Sequence, residues 1–575
     1  MIGNHEISKI LYEIGEYLEM KGVAFKPRAY EKAGYSIENL EEEVAEIYKK
    51  GGLKAVEDIP GVGVSIAEKI EELIKTGRLK YYEKLKKSFP VKIRELSAIE
   101  GVGPKIIYKL YKKLKIRSVS DLERAAKTNK IAKIPGFGKK TEDKILKGIE
   151  FLKKSGGRFL LGEALLQVRT IENRLKDLKE VDRVAVAGST RRMQETIGDL
   201  DILVTSAKPE RVMDFFISMP EVVHIYSKGN TKTMVRLKNG MDADLRVVPD
   251  KIFGAACQYF TGDKRHNITL RALAEKKGLK LNEYGLWRGK KLIAGKTEEE
   301  IYKSLGMATS PPEIRNDSGE IQAALKDKLP KLIGYSDLKG DLQVQTNWTD
   351  GENSIEEMAK AASDAGLEYI TITDHTKSLA MTGGADEKKL LKQMAAIDKL
   401  NSKFQALNSK FRILKGAEVN ILKDGSLDIE DVVLAKLDVV GIAVHSHFNL
   451  SRDEQTSRII KAMKNKHADI LFHPTGRLIQ KREPYDVDMD EIIKVAKETG
   501  MVLEIDADPY RLDLKDEYIR KAVAVGVKLS IDTDAHSKNS FHYLEYGIAQ
   551  ARRGWAKKSD IINTRSWQEM LKLLK

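Results

Sequence analysis

Two short acidic patterns stand in the middle of the chain, Gly198-Asp199-Leu200-Asp201-Ile202-Leu203 and Met241-Asp242-Ala243-Asp244-Leu245-Arg246. In a β-strand alternate residues share a face, so Asp199 and Asp201 point the same way. Two carboxylates so placed repel unless a divalent cation lies between them. A third from a neighbouring strand would complete a two-metal site for in-line phosphoryl transfer. Asp242 and Asp244 are both candidates for that third position. Gly188-Ser189, with Arg191 and Arg192 behind it, offers a triphosphate close backbone approach and positive charge. A second cluster lies toward the end of the chain. Of ten histidines, seven follow residue 340: His375, His445, His447, His467, His473, His536 and His542. Several stand just after apolar runs, as in Thr373-Asp374-His375, Val444-His445, Phe472-His473 and Asp532-Thr533-Asp534-Ala535-His536. With Asp350 and Glu418, such imidazoles and carboxylates suit Zn²⁺, Mn²⁺ or Fe²⁺.

These groups need elements to hold them. Val184 to Ala187, Asp199 to Thr205 and Met234 to Val248 read as strands of an α+β or α/β domain that begins with a helix over Leu160 to Lys179 and ends near Pro311-Pro312. Ser310 to Asp337 reads as a linker with one short helix. Beyond it, strand candidates Tyr369 to Ile372, Asp438 to Val444, Asp469 to Phe472, Val502 to Ile505 and Lys528 to Ile531 alternate with amphipathic stretches such as Ile355 to Ala365 and Tyr518 to Val525. Such alternation predicts a parallel sheet, of which a barrel is the closed form, with functional residues at the C-terminal strand ends.

The first 155 residues read as short helices around a recurring turn: Ile59-Pro60-Gly61-Val62-Gly63, Ile99-Glu100-Gly101-Val102-Gly103 and Ile134-Pro135-Gly136-Phe137-Gly138. The first glycines are about 40 and 35 residues apart, as in a repeated unit, and Ser155-Gly156-Gly157 makes a break after them. Such turns serve either as tight bends in a bundle or as backbone N–H donors to phosphate. Three copies flanked by Lys105, Lys139 and Lys140 favour the second use and match helix-hairpin-helix units, which grip DNA without reading its sequence.

The chain has 575 residues, 42% hydrophobic and 32% charged, with a net charge of +15. That composition excludes wholesale disorder and fibrous repeats, and the basic excess suits either a polyanionic partner or simple solubility. A single cysteine, Cys257, excludes an internal disulfide and fits a reducing compartment. No apolar run is long enough to span a membrane, and the N-terminus does not read as a signal peptide.

Gly188-Ser189, Gly198-Asp199-Leu200-Asp201 and Asp244-Leu245-Arg246 resemble the family X DNA polymerases, relatives of DNA polymerase beta, and the likeness continues through Tyr259-Phe260-Thr261-Gly262, Asn267, Arg271 and Asn282-Glu283-Tyr284. The resemblance implies that Asp199, Asp201 and Asp244 bind two Mg²⁺ or Mn²⁺ ions, with Asp244 activating the primer 3′-hydroxyl. It selects Asp244 over Asp242 through the pattern Asp-Leu-Arg-Val-Val. Ser189, Arg192 and Gly198 would hold the incoming dNTP, with Gly262 and Arg271 also in the nucleotide site. Tyr259 and Phe260 would flank the sugar, Tyr259 helping to reject ribonucleotides, and Asn267 would touch the base edge. Around Ile59 to Leu79 the chain resembles the polymerase beta lyase domain, which puts Lys69 at the Schiff-base position and Lys26 and Tyr30 at a 5′-phosphate. Ser65 stands where that domain carries a basic residue. Gly61, Gly63, Gly101, Gly103, Gly136 and Gly138 would hold the DNA backbone.

The C-terminal part resembles the PHP domain, a distorted (β/α)7 barrel with a trinuclear metal site, joined to a polymerase as in bacterial and archaeal PolX. The implied ligands are Asp350, His375, Glu418, His445, His473, Asp534 and His536. The family's opening His-x-His reads Gln343-Val344-Gln345 here, and an amide is a poor ligand for these metals. The expectation is therefore a weakened or absent 3′–5′ exonuclease and abasic-site endonuclease, with two metal sites surviving: Glu418 with His445 and His473, and Asp350 with His375 and His536.

The whole reading is an all-α helix-hairpin-helix N-terminal region, an α+β nucleotidyltransferase core and an α/β barrel. The expected boundaries are 1–90 (lyase-like, with the first hairpin), 91–155 (hairpin DNA-binding region), 156–315 (palm and nucleotide-binding subdomain), 316–336 (linker) and 337–575 (metal-binding barrel). The expected activity is short-gap filling on gapped or primer-template DNA in base excision repair, by a cytoplasmic, nucleoid-associated monomer working beside a ligase or an abasic-site endonuclease. Two alternatives are a PHP phosphoesterase whose polymerase core positions DNA, and a non-catalytic scaffold. The complete aspartate set disfavours both.

Overall fold

A computed structural model describes residues 4–23, 26–38, 40, 42–59, 61–97, 99, 102–155, 157–480 and 482–574. Gly101, Pro60, Glu100 and Gly156 of the expected turns lie outside the described residues. The rest of the N-terminal region is helical, as expected. Helices Val64–Thr76, Pro104–Leu114 and Lys139–Ser155 each start directly after a glycine turn. Gly61 and Gly136 take φ of +85° and +86°, a conformation that costs glycine nothing. One apolar core runs from Ile7 to Ile149, so both halves of this region pack together.

The central domain carries β1 (Phe159–Leu160), β2 (Arg183–Val186), β3 (Thr196–Ile197), β4 (Asp199–Thr205), β5 (Val222–Lys228), β6 (Lys232–Leu237) and β7 (Asp242–Val247). Five of them form a sheet ordered β2-β4-β7-β6-β5, in which only β4 and β7 run parallel. The run Met234 to Val248, expected as one strand, is two: it bends at Asn239-Gly240, where Gly240 adopts φ +87°. The hairpin places β7 beside β4, and that adjacency builds the acidic site. A small antiparallel sheet of β8 (Lys280–Asn282), β9 (Gly285–Arg288) and β10 (Lys291–Ala294) follows. The segment expected as a linker is packed: helix Glu320–Leu325 is fixed through Glu320, which meets His266 Nδ1 at 2.6 Å.

The last domain repeats strand and helix: β11 (Gly340–Val344), β12 (Tyr369–Ile372), β13 (Arg412–Asn420), β14 (Val439–Ala443), β15 (Ile470–Leu471), β16 (Val502–Asp506) and β17 (Leu529–Asp532). Every ladder is parallel, and the strands follow chain order. A bridge between Val344 and Ala535 brings the ends together, so the sheet closes as a barrel. Strands β11 and β13 were absent from the sequence-based expectation; both are buried along almost their whole length, and β13 lacks polar alternation. The apolar core of the palm includes Leu512, Tyr546 and Ala549 of the barrel domain, so the two pack as a unit. Among the described residues, no helix is long and apolar enough to cross a membrane.

Candidate active site and metal centres

The β4–β7 register sets Asp199 beside Asp242 and Asp201 beside Asp244, all on one face. Leu200, Ile202, Ala243 and Leu245 point into the core on the other. The two β7 aspartates differ in their partners. Arg236 grips Asp242 with Nε to Oδ1 at 2.8 Å and Nη2 to Oδ2 at 3.0 Å. Asp244 has looser ion pairs, with Lys232 at 3.6 Å and Arg246 at 3.7 Å. Asp242 is thus held by a two-point arginine contact, and Asp244 lies beside Asp201 in the register. Burial first, then Asp199 and Asp244, pushes the Asp201 carboxyl up to about 7. Burial and Asp242 likewise raise Asp199. Crowded carboxylates that resist ionising together are a donor set that divalent cations would relieve, so these residues fit the implied metals.

Behind them the chain turns through Gly188 at φ +63°, where a Cβ would come within 2.5 Å of Asp201 Oδ2. Only glycine lets the turn carrying Ser189 and Arg192 lie this close. Arg192 is largely buried and donates to the Thr261 carbonyl, beside Gly262. Its neighbour Arg191 is engaged elsewhere, bonding Thr261 Oγ1 at 2.8 Å and Glu298 at 2.5 Å, with Arg315 on the other Glu298 oxygen. Tyr259 and Phe260 meet edge to face with centroids 5.2 Å apart, and the Arg246 guanidinium lies 4.4 Å over the Phe260 ring. Asn267 uses its amide internally, donating to the Tyr259 carbonyl at 2.7 Å and accepting from Gln258 at 2.8 Å. Arg271 donates to the Asn267 carbonyl at 3.3 Å. Arg158, which the sequence reading missed, donates to Thr196 Oγ1 at 2.7 Å and faces Gly198 and Asp199. A lone arginine outside any pattern carries no signal in sequence.

In the N-terminal region Lys69 Nζ donates to Ser65 O at 2.6 Å and Oγ at 2.9 Å. It lies 5.2 Å from the Tyr81 ring, which stacks on Tyr30. Burial pulls the Lys69 ammonium down from the usual lysine range, and Lys26 adds to this against Glu68 and Glu72. Tyr81 is a further residue the sequence did not single out. Lys139, one of the flanking lysines, is engaged with Glu142 at 3.0 Å and Asp143 at 3.3 Å, whereas Lys105 and Lys140 are exposed.

At the C-terminal end of the barrel the carried-over ligands converge on Glu418. His473 Nε2 lies 2.8 Å and His445 Nε2 2.9 Å from its Oε1, and His375 Nδ1 lies 3.3 Å from its Oε2. Burial would raise the Glu418 carboxyl, but His375 and His445 hold it well below the usual range. Ligand atoms of Asp350, His375 and His536 fall within 4.8 Å of one another, as do those of His375, Glu418 and His445. His473 and Asp534 hold positive φ, 30° and 50°, as ligands fixed against backbone preference do. His375 Nδ1 and His473 Nδ1 are buried without a hydrogen bond. With His375 serving the first, Asp350, His375 and His536 would fit one cation and Glu418, His445 and His473 another. The third set does not fit. Gln345 Nε2 donates to Glu418 Oε2 at 2.8 Å, and the Gln343 amide packs against the Glu504 carboxyl. Arg511, another residue missed in the sequence, places Nε 3.5 Å from Asp534 Oδ2 and 3.3 Å from Asp506. Where a third cation would need lone pairs, the protein presents N–H groups.

Comparison with known proteins agrees with this layout. Residues 2–79 match the helix-hairpin-helix domain and 93–150 a SAM-like helix-hairpin-helix tandem. Residues 256–316 match the DNA polymerase beta thumb and 341–508 the PHP domain. The chain is 36% identical to the DNA polymerase/3′-5′ exonuclease PolX of Bacillus subtilis (strain 168) over 575 residues, 99% of each protein. It is also 30% identical over 222 residues to a probable phosphatase of Thermoanaerobacter sp. (strain X514), an alignment covering 37% of this chain and 84% of that protein. A probable phosphatase of Caldanaerobacter subterraneus subsp. tengcongensis is 29% identical over 194 residues, 32% of this chain and 70% of the other.

Proposed function

The chain belongs to the PolX family of DNA polymerases, and from that premise we propose that it fills short gaps during DNA repair, with Asp199, Asp201 and Asp244 as its catalytic carboxylates. The observation that carries this is the β4–β7 register, which brings the three together while Arg236 withholds Asp242. Divalent ions held there, Mg²⁺ or Mn²⁺, would acidify the primer hydroxyl and neutralise the triphosphate. The chain's own groups do the rest. Asp244 stands to accept the hydroxyl proton. Ser189, Arg192 and Gly198 hold the dNTP phosphates, Gly262 and Arg271 border the nucleotide, and Tyr259 and Phe260 wall its sugar. Asn267, as bonded here, holds the Tyr259 carbonyl and keeps a second N–H that could reach the base edge. A one-nucleotide-gap extension assay tests the reading; extension by the Asp201→Ala protein at the wild-type rate would refute it.

The helix-hairpin-helix turns, through Gly61, Gly63, Gly103, Gly136 and Gly138, track the DNA backbone. Lys69 is the lyase nucleophile of this proposal, because partial burial beside Tyr81 favours its neutral amine. Lys26 and Tyr30 border the same spot. Borohydride should trap wild type on a 5′-deoxyribose phosphate end and should not trap Lys69→Ala; equal trapping of both would remove the assignment. The barrel, with Asp350, His375, Glu418, His445, His473, Asp534 and His536, retains two places for Zn²⁺, Mn²⁺ or Fe²⁺ and a weakened nuclease. The likeness to probable phosphatases favours, as a second reading, a residual phosphoesterase at those two places. A cytoplasmic, nucleoid-associated monomer acting beside a ligase or an abasic-site endonuclease suits this role. The domain limits 1–90, 91–155, 156–315, 316–336 and 337–575 complete the proposal.

A further inference from the structure

The joint between palm and barrel is built around one largely buried carboxylate. Glu195 lies in the stretch that connects Arg192, at the triphosphate turn, to Asp199. Its partners come from the barrel domain. Arg477 donates to both oxygens, at 2.7 and 3.2 Å, and Gln550 Nε2 donates at 2.8 Å. Arg553 Nη2 stands 3.5 Å away. All three partners are buried, with Arg477 8% and Arg553 5% exposed. The neighbouring backbone is held from the same side: Arg553 Nη1 donates to the Met193 carbonyl at 3.0 Å, at a residue whose φ is +48°. From the palm side Leu161 N donates to the Glu195 carbonyl at 3.0 Å, and Arg158 binds Thr196. Residues 193–196 are thus clamped from both domains. Burial alone would raise the Glu195 carboxyl, but Arg477 and then Arg553 hold it below the usual range, so it stays charged between them.

We propose that Glu195 is a positioning residue for nucleotidyl transfer, through which the barrel holds Arg192 and Asp199 at their working separation. The proposal rests on the reading of Asp199, Asp201 and Asp244 as the catalytic carboxylates. Arg192 precedes Glu195 by three residues and Asp199 follows it by four, so slack at Glu195 reaches both the phosphate grip and the metal carboxylate. A displacement of about 1 Å at such groups costs on the order of 10²-fold in rate. The barrel therefore contributes to polymerisation whatever remains of its own metal chemistry.

The test uses the full chain on DNA with a one-nucleotide gap. Single-turnover kinetics give the maximal rate, equilibrium titration of the DNA-bound protein with a non-hydrolysable dNTP analogue gives nucleotide affinity, and calorimetry reports folding. Glu195→Ala and the isosteric Glu195→Gln should each slow the maximal rate about 10- to 100-fold and weaken analogue binding, with gapped-DNA affinity unchanged. Arg477→Lys, which keeps the charge but loses the two-point grip, should lower both in the same direction and by less than Glu195→Ala. Rate and analogue affinity within about twofold of wild type in a folded Glu195→Gln protein would overturn the proposal. So would a rate loss that only tracks the unfolded fraction. If Glu195→Ala fails to fold, Glu195→Gln decides by the same readouts. Asp201→Ala serves as the control: full activity there would refute the carboxylate reading, whereas an inactive Asp201→Ala beside an unaffected Glu195→Gln would refute this inference alone.

Discussion

The palm and the barrel each gather carboxylates at strand ends, yet Asp201 and Glu418 are treated in opposite ways. In the palm Asp201 is crowded by Asp199 and Asp244, and its carboxyl is pushed up to about 7. In the barrel Glu418 is met by His473, His445 and the Gln345 amide, and it is held well below the usual range. The first arrangement leaves electrostatic work for a cation. The second supplies part of that work from the protein, and Arg511 Nε lies 3.5 Å from Asp534 Oδ2. Ligand identity alone would rank the barrel, with more histidines, as the stronger metal site. In the direction of its shift Glu418 stands apart from Asp201, and also from Glu504 and Asp506 of its own barrel, which burial raises.

The largest test of this contrast lies within β7. Asp244→Asn should lower gap filling about 10³-fold or more, the several kcal/mol that metal-assisted charge stabilisation supplies. Asp242→Asn, removing a carboxylate already bound by Arg236, should cost less than about tenfold. Equal losses in steady-state rate would erase the distinction between the two.

The barrel offers the next test. After saturation with Mn²⁺ and gel filtration, elemental analysis should find two barrel ions in an Asp199→Ala/Asp201→Ala background. Gln343→His combined with Gln345→His should add a third and raise exonuclease turnover about 10- to 100-fold, the range that metal-site support commonly carries. Three ions in the unaltered barrel would break the comparison.

The smallest expected effect is a pH dependence. In the metal-free fold Asp201 keeps its proton up to about 7, while in the unfolded chain aspartate loses it near 3.9. Between these values the folded state binds more protons, so its stability falls as pH rises through the window and the full penalty remains above it. Mg²⁺ binding offsets that penalty. Thermal scans should therefore show Mg²⁺ stabilising the protein by a few degrees more at pH 8 than at pH 5, a difference that Asp201→Asn removes. An equal Mg²⁺ effect at both pH values would count against the crowding account.

Much of the palm was legible in the sequence because its strands alternate. Asp199–Thr205 has polar residues on one face at its start and an apolar interior, and the expected and observed limits coincide. The β6–β7 turn was not, since Asn239-Gly240 interrupts a run whose two sides are equally strand-like. Residues 199, 201 and 244 could be placed on neighbouring strands, but the choice between Asp242 and Asp244 rested on a family pattern; the Arg236 contact to Asp242 is visible only in space. Strand β13 is buried on both faces and so loses the period that marks a strand, whereas β11 keeps it, with Asp341 and Gln343 buried opposite Leu342 and Val344. Arg158, Glu195 and Arg511 carried no local pattern, because each acts on a group brought near only by the fold.

Closure of the barrel has a consequence for synthesis. Thr533 Oγ1 donates to Asp341 across 192 positions, and β11 cannot be sealed until β17 has emerged. Asp534 and His536 follow that last strand, and Gln550 and Arg553, which brace the palm, come later still. Because pairing at such separation forms late, a nascent chain can complete its helix-hairpin-helix turns and its three palm aspartates well before their support exists. Competence to extend a primer should then arrive abruptly near the end of translation, and a ribosome stalled before residue 550 would carry a palm that binds DNA and extends it poorly.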